Sequence, residues 1–229
     1  MINRDTPLAD VVLAEPSVLP VLNRLGISLG LGDTTVEYAA SALTLDPQFL
    51  VTILNTYTDV DYFPERAFSA FSLEQMVGYL NKTYVYYTRF LLPNIDRHFS
   101  LLMATVDAEQ SNLNVIKAFY EQVKEELLHR IAADVNEWFP SVLKHAKQAS
   151  PLEPETPLPA ADDDDSESLE NKIDDLKSML VIHLKGDHDS NLAYAVLVAI
   201  NNLQRDFRKN NRLRNRILRP IDKLLKSLQ

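Results

Sequence analysis

The chain has 229 residues, 46% of them hydrophobic, with 23 Lys and Arg against 32 Asp and Glu and a formal net charge of -9. That apolar content can fill a core, and the acidic balance argues against a general affinity for nucleic acid. There is no cysteine, which excludes disulfides, thiolate metal sites and cysteine nucleophiles. Met1 is followed by a polar stretch rather than a secretion signal, and no apolar run reaches membrane-spanning length. The expectation is a soluble, cytoplasmic protein with no membrane partner. Twelve prolines against five glycines, with few alternating β-branched runs, predict an all-α fold.

Residues 1–60 read as a small helical N-terminal domain. Thr6-Pro7 predicts a capped helix start with proline at the first helical position. A second helix is expected from about Pro16 to Leu25, stopped by Gly26, with Gly30 and Gly32 in a turn. Thr34-Thr35-Val36-Glu37 has the pattern of a capping box, and Asp46-Pro47 opens a fourth helix with Phe49, Leu50, Ile53 and Leu54 inward. A short linker around Pro64 follows.

Residues 70–229 read as an up-down four-helix bundle. Ser72-Leu73-Glu74-Gln75 is another capping box, with Phe71 and Met76 as its staple. The first long helix has its seam at Leu73, Val77, Leu80, Tyr84, Leu91 and Ile95, with a kink or break expected at Pro93. The second runs from about Leu113 to His145, bent near its end by Pro140. A Pro-rich acidic crossover at about 148–167, holding the run Asp162 to Asp165, is expected to be disordered. The third helix spans about Leu169 to Leu184, before Gly186, and the fourth about Asn191 to Leu228.

Two helices place polar residues where the apolar stripe should continue. Leu203, Phe207, Asn210, Arg214, Ile217, Ile221, Leu224 and Leu228 alternate in steps of four and three, so they share one face. Asn210 and Arg214 interrupt it. Arg130 and Asp134 do the same between Val123, Leu127 and Trp138. Buried polar groups are costly unless satisfied, so two such pairs mark a site or the remains of one.

Trp138-Phe139-Pro140 and Leu218-Arg219-Pro220 resemble the ends of the His-x-x-x-Glu…Phe-Pro segments of hemerythrin-like (HHE) bundles. Leu25-Gly26-Ile27-Ser28-Leu29-Gly30-Leu31-Gly32 resembles the Gly-Ile-Asp-Phe-Cys-Cys-Gly-Gly turn of the di-iron "repair of iron centres" family. That family protects or rebuilds iron–sulfur clusters under oxidative or nitrosative stress. The resemblance spans nearly the whole chain, yet its chemistry is replaced. The cysteines fall on Gly30 and Leu31, and the His and Glu positions fall on Tyr84, Arg130, Asp134, Asn210 and Arg214, with one further His near Ser166. Arginine stays protonated and repels divalent cations. The resemblance therefore implies a degenerate metal site filled by an Arg130–Asp134–Arg214 ion cluster, completed by Asn210 and Tyr84.

Other signals are weaker. Displaced ligands for a metal are His129, Asp134 and His188, with Glu126 as a further carboxylate; His183 beside His188, and isolated His98 and His145, read as ordinary partners or surface groups. Tyr84, Tyr86, Tyr87 and Phe90 form an aromatic cluster expected in the core. Arg205, Arg208, Arg212, Arg216, Arg219 and Lys223 form a basic stripe on the last helix, suited to phosphates or to an acidic partner. No Gly-rich phosphate loop and no Ser/His/Asp set stands out, so no enzyme is expected. The leading reading is a non-catalytic, cofactor-free protein acting through protein contacts, a homodimer among them, in stress response or regulation. Its alternatives are a di-iron protein of iron–sulfur repair and a nucleic-acid-associated regulator.

Overall fold

A computed structural model describes residues 1–59, 61–106, 111–148, 159 and 165–227, with backbone alone at 165–167. Most of the acidic crossover, including the Asp162–Asp165 side chains, lies outside the described residues. Among those described, the protein is helical with no strand; Pro7 and Thr35 form one isolated bridge. No described helix is long and apolar enough to cross a membrane.

The helices are α1 Leu8–Ala14, a short 3-10 turn Pro16–Val18, α2 Leu19–Leu25, α3 Val36–Ala42, α4 Pro47–Thr58, α5 Glu65–Ser69, α6 Leu73–Tyr86, α7 Leu92–Met103, α8 Leu113–Ala133, α9 Phe139–Gln148, α10 Asp165–Ile182, α11 Ser190–Leu213 and α12 Arg219–Ser227. Five-residue π-helical turns, Tyr87–Leu91, Asp134–Trp138 and Arg214–Leu218, join α6 to α7, α8 to α9 and α11 to α12.

Local chemistry explains most boundaries. Gly26 ends α2 in the left-handed region (φ 77°), where a side chain would be strained. Asp46 caps α4 by accepting from the Gln48 N–H at 2.7 Å, and Ser72 accepts from the Gln75 N–H at 3.2 Å as the start of α6. Met76 is buried, while Phe71 packs edge-on to Phe49 and Phe68. Two starts are displaced from expectation. Pro7 precedes α1 rather than opening it, because the Thr6 hydroxyl serves the Asn3 turn and the Thr6 carbonyl accepts from Val36 N–H. The cap of α3 is Thr35, which bonds the Tyr38 N–H; Glu37 is thus one residue early for a reciprocal box. Helix α5 and the early start of α10 were not legible.

Two compact units form. One comprises residues 1–86, 141–161 and 212–229; the other comprises 87–140 and 162–211. In the first, α2 packs on α6, α3 on α4, and α5 and α6 on the π turn 214–218. Its core holds Leu8, Val18, Leu22, Val36, Leu50 and Leu54. In the second, α8 packs on α7 and α10, around Phe99, Ile116, Tyr120, Leu127, Ile173 and Ile200. Phe99 and Tyr120 stack at 4.9 Å between ring centres. The Tyr120 hydroxyl donates to Asp96 at 2.9 Å, and Lys124 meets the same oxygen at 3.0 Å. Burial, with the Asp96 charge and hydrogen bond, drives the Tyr120 hydroxyl far above its ordinary pKa.

Candidate functional site

The three π turns share a pattern visible in the sequence once it is known. Each is five residues long and is followed, after one residue, by proline: Pro93, Pro140 and Pro220. Proline lacks an N–H and its ring collides with the carbonyl four residues earlier. Here that carbonyl, on Arg89, Asn136 or Arg216, is the third residue of the π turn in every case. Widening the helix to i→i+5 bonds relieves the collision without breaking it: Phe139 N–H bonds Asp134 O, and Arg219 N–H bonds Arg214 O. At Pro93, where a kink or break is expected, and at Pro140, where a bend is expected, the helical hydrogen bonding is widened over five residues rather than interrupted.

A π turn also resets which residues face inward. Beyond Asp134 the buried residue is Phe139, five on, while Trp138 is half-buried. Beyond Arg214 the buried set is Ile217, Leu218, Pro220, Ile221, Asp222 and Leu225, whereas Leu224 is only half-buried. The residues that open the three turns, Tyr87, Asp134 and Arg214, are all buried. π turns of this kind often occur at functional positions.

The five positions singled out by the resemblance divide between the units. Tyr84 and Arg214 lie in the first, both buried; the Arg214 Nη1 donates to its neighbour Asn215 at 2.8 Å. Arg130, Asp134 and Asn210 lie in the second. Asp134 is buried, and Arg130 is half-buried, its guanidinium 5.0 Å from the Phe207 ring centre. Arg130 donates to Asn211, which was not among the residues expected in the cluster. Asn210 instead donates to the Tyr87 hydroxyl at 3.1 Å and to Asp206, carbonyl and carboxylate, at 2.7 and 3.0 Å. The side chain of Ser166 lies outside the described residues.

Asn211 belongs to a polar layer among α8, α10 and α11. It also donates to Glu170 at 2.6 Å; Arg208 pairs with Glu170 and Asp174, and Gln204 bridges Asp174 and Lys177. Lys172 meets Glu126 at 2.6 Å. Asn211 and Gln204 are nearly as buried as the core leucines. Neither was singled out in the sequence, because each stands beside the apolar stripe rather than in it.

The basic stripe is largely engaged within the protein. Arg208 is committed to α10. Arg216 pairs with Glu65, and Arg212 and Arg216 lie over the Phe63 ring at 4.3 and 5.2 Å. Burial and the neighbouring Arg216 charge lower the Arg212 pKa from its ordinary value. Arg205 and Lys223 are exposed, and Arg219 is half-buried.

Among the histidines, His129 is exposed, the His188 Nδ1–H donates to the Gly186 carbonyl (2.8 Å), and the His183 carbonyl accepts from Asn112 at 2.7 Å. The His98 Nδ1 is buried without a hydrogen-bond partner. Among the described residues no three His, Asp or Glu side chains gather as metal ligands, so His129, Asp134 and His188 do not converge.

Ser141, His145 and Asp222 do meet, a set not anticipated from the sequence. The Ser141 hydroxyl is 3.5 Å from His145 Nε2, and His145 Nδ1 is 2.8 Å from the buried Asp222 carboxylate. Lys226 meets the other Asp222 oxygen at 2.7 Å. Acyl transfer also needs donors for an oxyanion. Ser141 lies inside α9, where backbone N–H groups are committed to the helix. The set is best described as a buried carboxylate held between an imidazole and a lysine ammonium.

The four members of the aromatic cluster differ in burial. Tyr87 is fully buried and joins Asn210, Tyr84 is buried, Tyr86 faces Arg24, and Phe90 is exposed. Arg24, on α2, went unnoticed in the sequence as an ordinary surface cation near a helix end. It is 7% exposed. Its Nη1 donates to Thr83 at 2.8 Å, Tyr79 at 3.2 Å and Tyr57 at 3.3 Å, its Nε donates to the Pro20 carbonyl at 3.0 Å, and three tyrosine rings lie 5.2–5.8 Å away. Compared with known proteins, the chain matches no family model, and no curated protein matches it.

Proposed function

We propose that this protein is a metal-free, non-catalytic relative of the hemerythrin-like iron-centre repair bundles, acting through protein contacts in stress response or regulation. The observation that carries the reading is the commitment of polar side chains at the former ligand positions to internal hydrogen bonds. Arg130 is held by Asn211, and Asn210 by Tyr87 and Asp206. A guanidinium in such a place disfavours a divalent cation, and an amide tied by both a hydroxyl and a carboxylate is not free to reorient toward one. The engagement of Arg208, Arg212 and Arg216 by acidic and aromatic neighbours weakens the nucleic-acid reading.

Metal analysis of protein purified from iron-supplemented cells tests the proposal. The expected result is a negligible iron content and no metal–oxo absorption. About two irons per chain, the loading of a carboxylate-bridged pair, would favour the di-iron alternative and overturn it.

A further inference from the structure

Helix α6 carries a glycine with no evident structural purpose. Gly78 sits mid-helix, where glycine disfavours the helix relative to alanine by about 1 kcal/mol. Close packing does not require it: a methyl group placed there would meet no atom within 4 Å. The space above it is the floor of a half-open cleft of about 220 Å³ in the first unit. Leu25, Leu45 and Tyr79 supply apolar wall, and Glu74, Gln75 and Lys82 complete the lining. Any larger residue at 78 would occupy this space.

A second observation points to a ligand. Gln75 lines the same cleft, and its Oε1 is buried without a hydrogen-bond partner. An orphaned buried acceptor is costly, and few native polar atoms are left so. The Gln75 carbonyl therefore asks for a donor that the surrounding protein does not provide. Glycine opens the floor for flat contact against the helix, leucines supply dispersion and desolvation, and one acceptor fixes orientation. Clefts of this composition, mostly apolar with few convergent polar atoms, are the usual form of small-molecule sites.

We propose that this cleft binds a small, planar, mostly apolar molecule carrying one N–H or O–H donor, which lies over Gly78 and toward which the Gln75 amide turns to accept through Oε1. The proposal is independent of the metal question. Indole is the probe, and benzofuran, of the same shape but with a ring oxygen in place of the N–H, is its control. Calorimetric titration of the full chain should give saturable indole binding, with benzofuran weaker by about tenfold, one hydrogen bond's worth. Gly78→Leu should abolish both while keeping α6 folded, since leucine favours helices. Gln75→Met should erase the difference between the two probes while leaving benzofuran affinity unchanged. Failure of indole to saturate overturns the proposal. So does equal affinity for the two probes, or undiminished binding in a folded Gly78→Leu variant.

Discussion

Replacing Thr83 with valine probes the Arg24 cage with little change of shape. Thr83 is fully buried on α6; its hydroxyl accepts from Arg24 Nη1 at 2.8 Å and donates to the Tyr79 carbonyl at 3.0 Å. Valine fills nearly the same volume but removes the shortest of the Nη1 contacts of a buried guanidinium, leaving the longer tyrosine contacts at 3.2 and 3.3 Å. Hydrogen bonds to charged groups contribute roughly 1.5–3 kcal/mol, and the remaining phenol oxygens compensate in part. We therefore expect Thr83→Val to destabilise by about 2 kcal/mol. Thr83→Ser, which keeps the hydroxyl and removes one methyl, should cost about 1 kcal/mol. The assay is urea denaturation followed by far-UV circular dichroism, extended to a double-mutant cycle with Arg24→Met. Coupling of about 1–2 kcal/mol between Arg24 and Thr83 is expected, well outside the 0.3–0.5 kcal/mol, or about that, within which independent sites add. Additivity within that margin would refute the claim that the 2.8 Å bond stabilises the fold.

The register shift after the last π turn predicts an asymmetry between neighbours. Leu225→Ala should cost about 2–4 kcal/mol as a core truncation, and Leu224→Ala under about 1 kcal/mol; thermal melts reversing that order would place the seam on the unshifted α-helical face. On α8, burial alone would raise the Glu121 carboxyl, but hydrogen bonds and charge from Lys117 and Lys124 outweigh it and hold its pKa below the usual range. A depressed carboxyl stabilises above its unfolded pKa and loses that contribution as pH falls through the folded one. Glu121→Gln should thus remove a small acid-dependent term, under about 1 kcal/mol for a side chain this exposed, between about pH 5 and 3. Parallel stability profiles for the two proteins would show that the lysines contribute nothing there.

Much of the local architecture was legible because it depends on neighbours in the chain. Gly26 at a helix end, Asp46-Pro47 at a helix start and Ser72 ahead of Leu73 act over three or four residues, and the structure uses each as read. The prolines were legible as disturbances, but not their remedy. Because a π turn adds a residue to the i→i+4 count, some inferences carried past it by periodicity, such as Leu224 and Trp138 facing inward, were displaced by about one position, while Ile95 and Ile221 are buried as read.

The polar partners were decided by tertiary structure. Periodicity marked Asn210 and Arg130 as interior groups, yet whether Arg130 meets Asn210 or Asn211 depends on the rotation of α11 against α8, which spacing along either helix does not fix. Arg24 was missed for the same reason. Its neighbours in sequence are those of a surface cation, and only the packing of α2 on α6 brings Tyr57, Tyr79 and Thr83 around it. His145 and Asp222 lie 77 residues apart and meet across two helices. The sequence by itself determined the helical character, several of the caps and the interior polar positions Asp134, Asn210 and Arg214, since these follow from composition and short-range backbone chemistry. The tertiary structure alone decided which polar group meets which, because hydrogen bonds are directional over about 3 Å and a one-residue change in helix register moves a side chain farther than that.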